Sequence, residues 1–440
     1  MDILIKIAQL FLCFTILVGI HELGHFLMAR AFKIRVEKFY IFFDPWFSLF
    51  KFKRGDTEYG VGWLPLGGYV KIAGMIDESM DKEQMKQPVK PDEFRAKPAW
   101  QRLLVMVAGV MMNVLLAIVT YCAVCYTWGD SYFSNQDAKW GYNFNPTAHE
   151  MGFRDGDRFV SIDGEEIDNV MRVQNDLLIT DGGRRVIVER GGEPVTLDIP
   201  FESLLRMRQE KAYEDLFTLR LPFIVDSVSY TSAVEAGLES GDEVVAIDDL
   251  RDADYPRYRD YLQKHKNDKV LLTVRRDGAL IDSLALPVDA EGRIGVTVTN
   301  PYSLRTQYYT FWESIPAGIH KAGKTISSYW DQLKLIVQPK TKMYEELGGF
   351  VAIGSIFPSS WDWHDFWLKT AFLSIILAVM NLLPIPGLDG GHALFTLWEI
   401  ITRRKPSEKF LEVAQYVGLM IILALLVYAN GNDIYRFFIK

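Results

Sequence analysis

An almost wholly apolar stretch near the N-terminus, Ile3–Ala29, is long enough to cross a bilayer as one helix. Within it lies the sequence Leu-Val-Gly-Ile-His-Glu-Leu-Gly-His-Phe, which places His21, Glu22 and His25 at membrane depth. A charged group there costs roughly 2–3 kcal/mol on insertion scales, so it needs a functional reason. This stretch therefore predicts a membrane-spanning helix with a polar site built into it.

The spacing of the three polar residues indicates a metal site. Residues four apart lie on one face of a helix, so His21 and His25 could hold one metal ion. Glu22 then lies beside the ion rather than on it, where a general base for a metal-bound water belongs. Buried histidines more often only satisfy hydrogen bonds, and the motif alone gives the two interpretations about equal weight. A third ligand in another membrane segment would decide between them.

Composition indicates a chain that mixes membrane and soluble parts. Of its 440 residues 49% are hydrophobic and 13% aromatic, whereas its mean hydropathy is near zero. The net charge of −8 and the lack of a long basic run argue against a nucleic-acid partner. Cys13, Cys122 and Cys125 all lie in apolar stretches, so we expect no disulfide framework and no cysteine zinc site.

Three more apolar stretches predict three more spans. They run from about Trp100 to Trp128, Leu368 to Leu388 and Leu411 to Tyr428. Basic residues follow the first span and separate the last two, at Arg30, Lys33, Arg35, Lys38, Arg403, Arg404, Lys405 and Lys409. Because cytoplasmic loops carry the excess of lysine and arginine, these loops are predicted to be cytoplasmic and both termini extracytoplasmic.

The region between the first two spans is too broken by glycine, proline and charge to cross a membrane. Glu58–Ile72 is typical of a β-hairpin, with aromatic and β-branched residues punctuated by glycine. Its apolar centre suggests a hairpin that enters the membrane toward the metal, and an ordinary cytoplasmic hairpin is the alternative. A strand edge there could hold an extended substrate by strand addition. The substrate-binding candidates are Gly60, Gly62, Gly67, Gly68 and Tyr69.

Residues 130–300 are soluble in character and contain an internal repeat. Met151–Asp163 aligns with Ala236–Asp248, and Val186–Gly192 resembles Leu272–Gly278. In both copies a Gly-x-x-x-Gly-Asp turn leads into an apolar strand and an Ile-Asp turn, as in a PDZ domain. We therefore predict two extracytoplasmic PDZ domains, which either bind peptides by strand addition or act as rigid spacers.

The segment that follows the repeat is expected to lie at the membrane surface. Ile315–Met343 has helical periodicity with five lysines, which favours an amphipathic helix on the membrane. Trp361, Trp363 and Trp367 are typical of an interface. Inside the second span, Asn113 is expected to make an interhelical hydrogen bond rather than a catalytic contact.

The third span ends in Asn-Leu-Leu-Pro-Ile-Pro-Gly-Leu-Asp-Gly-Gly-His. Pro384 and Pro386 break the helix near its cytoplasmic end and free backbone groups that need partners. Asp389 follows at the depth of the two histidines, and is the best candidate for the third metal ligand. Asn381, about two turns earlier, could donate its amide to the substrate backbone or to an oxyanion.

Two histidines and an aspartate leave one coordination position open, which is the ligand set of a catalytic zinc site. One Zn²⁺ per chain is therefore expected. Zinc lowers the pKa of a bound water to roughly 7 and polarises the scissile carbonyl. Glu22 would take the proton of the water and later deliver it to the leaving amine. A helical substrate must first unwind, because its carbonyls are shielded.

These motifs together resemble the site-2 protease family of intramembrane metalloproteases. The resemblance rests on His21–His25, on Leu-Pro-Leu-Gly-Gly-Tyr-Val-Lys ending at Lys71, and on Asn381–His392, and it covers nearly the whole chain. It implies that the histidines and Asp389 bind zinc, that the glutamate is catalytic, and that Asn381 and the two prolines handle substrate. One departure is Leu347–Gly354, where relatives tend to carry Gly-Pro-Ile.

The resemblance also implies substrates and location. Family substrates are single-span membrane proteins, among them anti-sigma factors already trimmed by a first protease, and remnant signal peptides. The PDZ domains would exclude substrates with bulky extracytoplasmic parts. The protein would be a multi-pass protein of the bacterial inner membrane, surrounded by lipid, with its site near the cytoplasmic side. The alternative is a PDZ-bearing membrane adaptor with a non-catalytic metal site, which leaves Glu22 and the open coordination position without a purpose.

The sequence thus predicts a polytopic α-helical membrane protein with four spans, a membrane-associated β-hairpin region and two PDZ domains of mixed α+β structure. The expected layout is the first span 1–30, the β region 31–99, the second span 100–128, the PDZ domains 129–219 and 220–300, the surface segment 301–366, the third span 367–395, and the loop and fourth span 396–440.

Overall fold

The computed structural model of the chain describes residues 2–64, 67–75, 88–213 and 215–439. The chain divides into two compact units. The membrane unit comprises Met1–Asp130 and Tyr308–Lys440, and the repeat unit comprises Ser131–Gln307. The charged stretch 77–93 is interpreted from its sequence as a loop, and most of it lies outside the described residues.

Long helices dominate the membrane unit, and strands dominate the repeat unit. The α-helices are α1 Asp2–Ala31, α2 Ala99–Trp128, α3 Pro146–Glu150, α4 Val173–Leu178, α5 Phe201–Gln209, α6 Thr231–Glu235, α7 Tyr255–Lys264, α8 Phe311–Val337, α9 Phe350–Ser355, α10 Trp363–Leu382, α11 Asp389–Thr402 and α12 Glu408–Ile434. The strands are β1 Val36–Ile41, β2 Phe43–Arg54, β3 Thr57–Leu64, β4 Tyr69–Ile72, β5 Asp130–Tyr132, β6 Tyr142–Phe144, β7 Arg158–Ile162, β8 Glu165–Glu166, β9 Arg184–Arg190, β10 Glu193–Ile199, β11 Phe217–Leu219, β12 Val225–Val228, β13 Glu243–Ile247, β14 Lys269–Arg276, β15 Ala279–Pro287, β16 Val296–Val298 and β17 Arg305–Gln307.

Four helices of the described chain are long and apolar enough to cross a membrane, which confirms the prediction of a polytopic membrane protein. They are α1, α2, α10 and α12, the last with its apolar span from Lys409 to Phe437. In the third, the break predicted at Pro384 and Pro386 is present, and the helix ends before the predicted Leu388. α10 stops at Leu382, and a separate helix begins at Asp389, because Pro384 and Pro386 cannot continue a helix.

The β region is a four-stranded mixed sheet with the strand order β2-β3-β1-β4. β2 and β3 form an antiparallel hairpin, and β1 pairs in parallel with β3 and antiparallel with β4. The predicted hairpin Glu58–Ile72 is therefore wrong in its pairing, since β1 lies between β3 and β4. Glycine and proline indicate where the chain turns, but the partner of a strand depends on its register with β1, which a local pattern does not contain.

α2 is the central helix of the membrane unit and packs against α1, α8, α10 and α11. A glycine permits its close approach to α1, because a Cβ at Gly24 would lie 2.4 Å from the carbonyl oxygen of Ala108. Gly24 lies between the two histidines of the metal motif. The contact therefore fixes both histidines against α2.

The amphipathic helix α8 also packs on the spanning helices. A Cβ at Gly318 would lie 2.5 Å from the backbone nitrogen of Cys122, and Ala322 and Ile326 join a core with side chains of α2 and α10. The small residues on this side of α8 let the neighbouring helices come close. Large apolar side chains such as Trp312 and Val337 are exposed, and contact of this helix with the membrane surface stays a prediction.

The repeat unit contains two copies of one arrangement, each with its own hydrophobic core. The sheet of the first copy has the order β10-β9-β7-β8, and that of the second has the order β13-β14-β15. The aligned sequence stretches make equivalent contacts. Arg190 donates two hydrogen bonds of 2.7 Å to Asp157, and Arg276 donates two of 2.7 Å to Asp242.

Each buried aspartate of the repeat also accepts a hydrogen bond from the backbone three residues earlier, at 2.9 Å in both copies. Burial disfavours the charged form of Asp242, but the hydrogen bonds from Arg276 and from the Glu239 N–H outweigh it and lower the pKa of this carboxyl below its ordinary value. The aspartate of the Gly-Asp turn therefore stabilises each copy through a buried ion pair with an arginine of the same copy.

Candidate active site

Three side chains of the membrane unit converge at one point. Asp389 Oδ2 lies 3.0 Å from His21 Nε2 and 3.2 Å from His25 Nε2, and the two histidine nitrogens lie 3.3 Å apart. The histidines are 7% and 6% exposed, and the aspartate side chain 18%. The structure thus brings together the two residues of the first span and the predicted third partner, which lies more than 360 residues later in the sequence.

The donor set fits a zinc ion. Tetrahedral zinc with bonds of about 2.0–2.2 Å places its ligand atoms about 3.3–3.5 Å apart, close to the three distances found here. Asp389 Oδ2 is buried and makes no hydrogen bond among the described residues. A buried carboxylate oxygen that faces two imidazole nitrogens is costly without a cation to bind. This arrangement is what a divalent metal requires.

α2 orients both histidines. His25 Nδ1 lies 2.8 Å from the carbonyl oxygen of Val105, which can only accept, so Nδ1 donates and Nε2 keeps a free lone pair. His21 Nδ1 lies 3.2 Å from the side-chain amide of Asn113. Between these contacts a Cβ at Gly109 would lie 2.5 Å from His25 Nε2 and 2.7 Å from His21 Cε1. Only glycine leaves room for the two rings.

The broken segment after α10 delivers Asp389 to the site. Asp389 is the first residue of α11, where the helix dipole favours a carboxylate. The glycines that follow it let α11 fold back onto this segment, since a Cβ at Gly390 would lie 2.3 Å from the carbonyl oxygen of Leu383 and one at Gly391 would lie 2.5 Å from that of Ile385. Both positions after Asp389 therefore require glycine, because a side chain at either would clash with the backbone.

A cavity of about 690 Å³ opens in front of the three groups. Glu22 lines it, accepts a hydrogen bond from the Val70 backbone and packs beside Gly68, where a Cβ would lie 3.4 Å from Glu22 Cγ. The loop before β4 thus lies directly on α1 at the predicted base. A carboxylate that faces the cavity beside the ligand atoms is placed to exchange protons with a molecule bound there.

The predicted substrate-binding residues divide into two sets. Those that line the cavity are Gly67, Gly68, Tyr69 and Asn381, and those that do not are Gly60, Gly62, Pro384 and Pro386. The glycines of the second set have a role in the sheet, because a Cβ at Gly60 would lie 2.3 Å from the ring of Tyr40 and one at Gly62 would lie 2.0 Å from the carbonyl oxygen of Phe43. Substrate contact by either set stays a prediction.

Two polar residues of the site were not predicted as site residues. Asn113 makes the interhelical hydrogen bond expected of it, and its partner is His21 of the site. Gln415 of α12 is 7% exposed and lines the cavity with Leu388 and Asp389. Both are polar residues inside apolar spans, which is the signal that could have found them. Their partners depend on helix packing, which the sequence does not show.

The sequence profile of Peptidase family M50 matches residues 9–425. The chain belongs to this family, the site-2 proteases. A Clostridium perfringens protein named as a zinc metalloprotease is 29% identical over 426 residues, which cover 96% of each chain. The regulator of sigma E protease of Haemophilus influenzae is 27% identical over 460 residues, 99% of this chain and 100% of the relative. A Vibrio cholerae protein named as a zinc metalloprotease is 29% identical over 99% of both chains.

Family membership confirms two predictions made from the sequence. The chain is a membrane metalloprotease, and its family is the one that the three motifs resembled. The names of the relatives also imply zinc as the metal.

Proposed function

We propose that this metalloprotease is an intramembrane zinc endopeptidase that cleaves single-span membrane proteins. His21, His25 and Asp389 would hold one Zn²⁺, and Glu22 would be the catalytic base. The observation that carries the proposal is the triangle of two histidine nitrogens and one carboxylate oxygen, 3.0–3.3 Å on a side. The histidines lie on α1, which meets the requirements of a membrane span, and Asp389 follows α10, which also meets them.

Zinc, when bound, supplies Lewis-acid chemistry: it acidifies water and polarises a peptide carbonyl. The chain itself supplies the proton transfers. Glu22 takes a proton from the attacking water and delivers it to the nitrogen of the leaving amine, so that the cleaved peptide bond gains the elements of one water molecule. Its place in the cavity beside Gly68 supports this role.

Asn381 is proposed to stabilise the negative oxygen that forms on the substrate carbonyl. Its Nδ2 lies 3.3 Å from His21 Nε2, so its amide reaches the immediate neighbourhood of the ligand atoms. A side-chain amide held close to the reacting carbonyl is a typical oxyanion donor. Gln415, on another wall of the cavity, is proposed to bond the substrate backbone.

The substrate is proposed to bind as an extended strand. β4 is an edge strand of its sheet, and its four residues, Tyr69–Ile72, all line the cavity. A strand edge offers unpaired N–H and C=O groups to an incoming chain, which replace the hydrogen bonds lost when a substrate helix unwinds. The sheet would thereby present the scissile bond to Glu22.

The repeat unit is proposed to consist of the two PDZ domains predicted at 129–219 and 220–300. Their equivalent aspartate–arginine contacts and separate cores support two copies of one domain. We propose that they lie on the extracytoplasmic side with both termini, that the chain resides in the inner membrane with its site near the cytoplasmic face, and that the domains exclude bulky substrates.

The relative named regulator of sigma E protease supports a substrate class. We propose that the substrates include an anti-sigma factor trimmed by a first protease, and remnant signal peptides. A PDZ-bearing adaptor with a non-catalytic metal is disfavoured, because Glu22 faces an open cavity beside the ligand atoms.

The test is cleavage of a tagged single-span protein by the purified chain in detergent or nanodiscs. The wild type should cleave it, and His21→Ala should lose both cleavage and zinc. A His21→Ala variant with normal cleavage would overturn the proposal.

A further inference from the structure

We propose that Asn113 is a positioning residue of the metal site. Its side-chain carbonyl accepts the proton of His21 Nδ1 and so keeps His21 Nε2 turned toward the metal. The inference rests on the proposed function only in taking His21 as a ligand.

Asn113 is held rigidly where the first two spans meet. It is 0% exposed, and its main-chain carbonyl accepts a hydrogen bond of 2.7 Å from Ser374 Oγ of α10. Its side-chain Nδ2 lies 3.2 Å from His21 Nδ1, while its Oδ1 is buried without a hydrogen bond among the described residues. Since Oδ1 and Nδ2 are nearly identical in shape, the atom that faces His21 Nδ1 has to be assigned from the proton on the ring.

The proton on His21 decides between the two orientations of the Asn113 amide. If Asn113 Nδ2 donates to His21 Nδ1, a neutral ring must carry its proton on Nε2, and this tautomer cannot bind a metal through Nε2. A half-turn of the amide exchanges Oδ1 and Nδ2 almost without change of shape. Asn113 Oδ1 then accepts the Nδ1 proton, and the Nε2 lone pair faces Asp389 Oδ2 and His25 Nε2. Only this second orientation agrees with a ligand role for His21.

At His25 a main-chain carbonyl has the role that the Asn113 side chain is proposed to have at His21. The carbonyl oxygen of Val105 accepts from His25 Nδ1 at 2.8 Å. Val105, Gly109 and Asn113 are spaced four apart, and so lie along one face of α2. Val105 provides an acceptor for the ring of His25, and Gly109 leaves space for both rings. Asn113 provides an acceptor for the ring of His21. One face of α2 thus sets the tautomer of both histidines.

The role predicts a measurable effect on metal affinity. Partners of the second nitrogen of a metal-binding histidine are worth about 10–100-fold in affinity, because they orient the ring and make it more basic. Asn113→Leu removes the acceptor and should weaken zinc binding by about 10–100-fold. Asn113→Asp keeps an acceptor but cannot donate, so it should bind zinc as tightly as the wild type or more tightly.

The experiment titrates zinc into the purified full-length chain in detergent against a chromophoric chelator, for the wild type, both Asn113 variants and Thr120→Val. Thr120→Val is the matched control, since it removes a buried polar group from the same helix about two turns away from Asn113 and outside the cavity. We expect only Asn113→Leu to bind zinc more weakly. Cleavage of a single-span substrate is a second readout. In Asn113→Leu, cleavage should fall in parallel with zinc occupancy at limiting metal and recover at saturating metal.

Two results would overturn the inference. If Asn113→Asp loses zinc affinity, the amide acts as a donor, and this variant decides the point even if Asn113→Leu does not fold. If Asn113→Leu folds and binds zinc like the wild type, Asn113 has no positioning role. His21→Ala in the same titration separates this failure from failure of the proposed function, because wild-type affinity in that variant would exclude His21 as a ligand.

Discussion

Asp242 of the repeat unit and Asp389 of the membrane unit are both carboxylates taken out of water, but they have opposite surroundings. Asp242 accepts two hydrogen bonds from Arg276 and one from the main chain. Asp389 Oδ2 faces two histidine nitrogens. Among the described residues it makes no hydrogen bond, and no arginine or lysine forms an ion pair with this carboxylate.

The difference separates a structural carboxylate from a functional one. Within the second copy of the repeat, Arg276 neutralises the buried charge of Asp242. In the first copy, Arg190 neutralises Asp157 in the same way. The membrane unit leaves its charge to be neutralised by something that the polypeptide does not supply. Substitution should therefore affect stability at one site and chemistry at the other.

The largest effect is expected at the functional carboxylate. Asp389→Asn should reduce cleavage of a single-span substrate by more than about 1,000-fold, because the metal loses an anionic ligand and with it its activating role. Zinc per chain, measured by elemental analysis after dialysis, should fall in parallel, whereas thermal unfolding should change little. A variant that retains one tightly bound zinc would show that the two histidines suffice.

The next effect comes from the glycine that makes room for the histidine pair. Gly109→Ala should lower zinc affinity and cleavage by at least about 10-fold, since a Cβ would lie 2.5 Å from His25 Nε2 and displace the ring. Gly323→Ala on α8 is the matched control, because no atom lies within 4 Å of its Cβ position. Equal activity of the two variants would mean that α1 and α2 can move apart without loss of zinc binding or cleavage.

At the structural carboxylate the expected loss is in stability. Asp242→Asn should destabilise the second copy by about 2–4 kcal/mol, somewhat less than for a fully buried ion pair because Arg276 is partly exposed. Zinc content should be unchanged. The measurement is the urea midpoint at which a protease cuts within Ser131–Gln307 in the full-length protein.

The same substitution has a pH signature. The folded pKa of Asp242 lies below its ordinary value, so its contribution to stability is complete above the unfolded pKa of about 3.9 and is lost as the pH falls through the folded pKa. The difference in urea midpoint between wild type and Asp242→Asn should therefore shrink below about pH 4. A constant difference down to pH 2.5 would show that the ion pair is not its source.

The smallest effect is expected at the cavity wall formed by α12. Gln415→Leu should raise KM by about 3–10-fold, as for one neutral hydrogen bond, with kcat nearly unchanged and zinc content normal. Met420→Leu on the same helix is 62% exposed, serves as the control and should behave like the wild type. Unchanged KM in both variants would remove Gln415 from substrate binding.

Much of this comparison could be predicted from sequence because charge at membrane depth is conspicuous. His21, Glu22 and His25 are noticeable inside an apolar run, and Asp389 is noticeable after a proline-broken span. The paired Gly-Asp turns were likewise visible as a repeat. These signals are local, so they can be recognised in the sequence without knowledge of how the helices and strands pack.

Features that depend on distant partners could not be predicted in the same way. β1 separates β3 from β4, and α8 packs on α2 and α10, because register and helix approach are decided by residues far apart in sequence. Asn113 was recognised as polar within a span, but its partner at His21 follows only from the close approach of the helices at Gly24 and Gly109.

The central claim is that Glu22 transfers protons at a metal held by other residues. The most direct measurement compares cleavage and zinc content of wild type and Glu22→Gln, purified side by side. Cleavage should fall by about 10²–10⁴-fold while zinc stays near one per chain, as expected when a general base is removed without loss of a ligand. Normal cleavage by Glu22→Gln, or loss of its zinc, would contradict the claim.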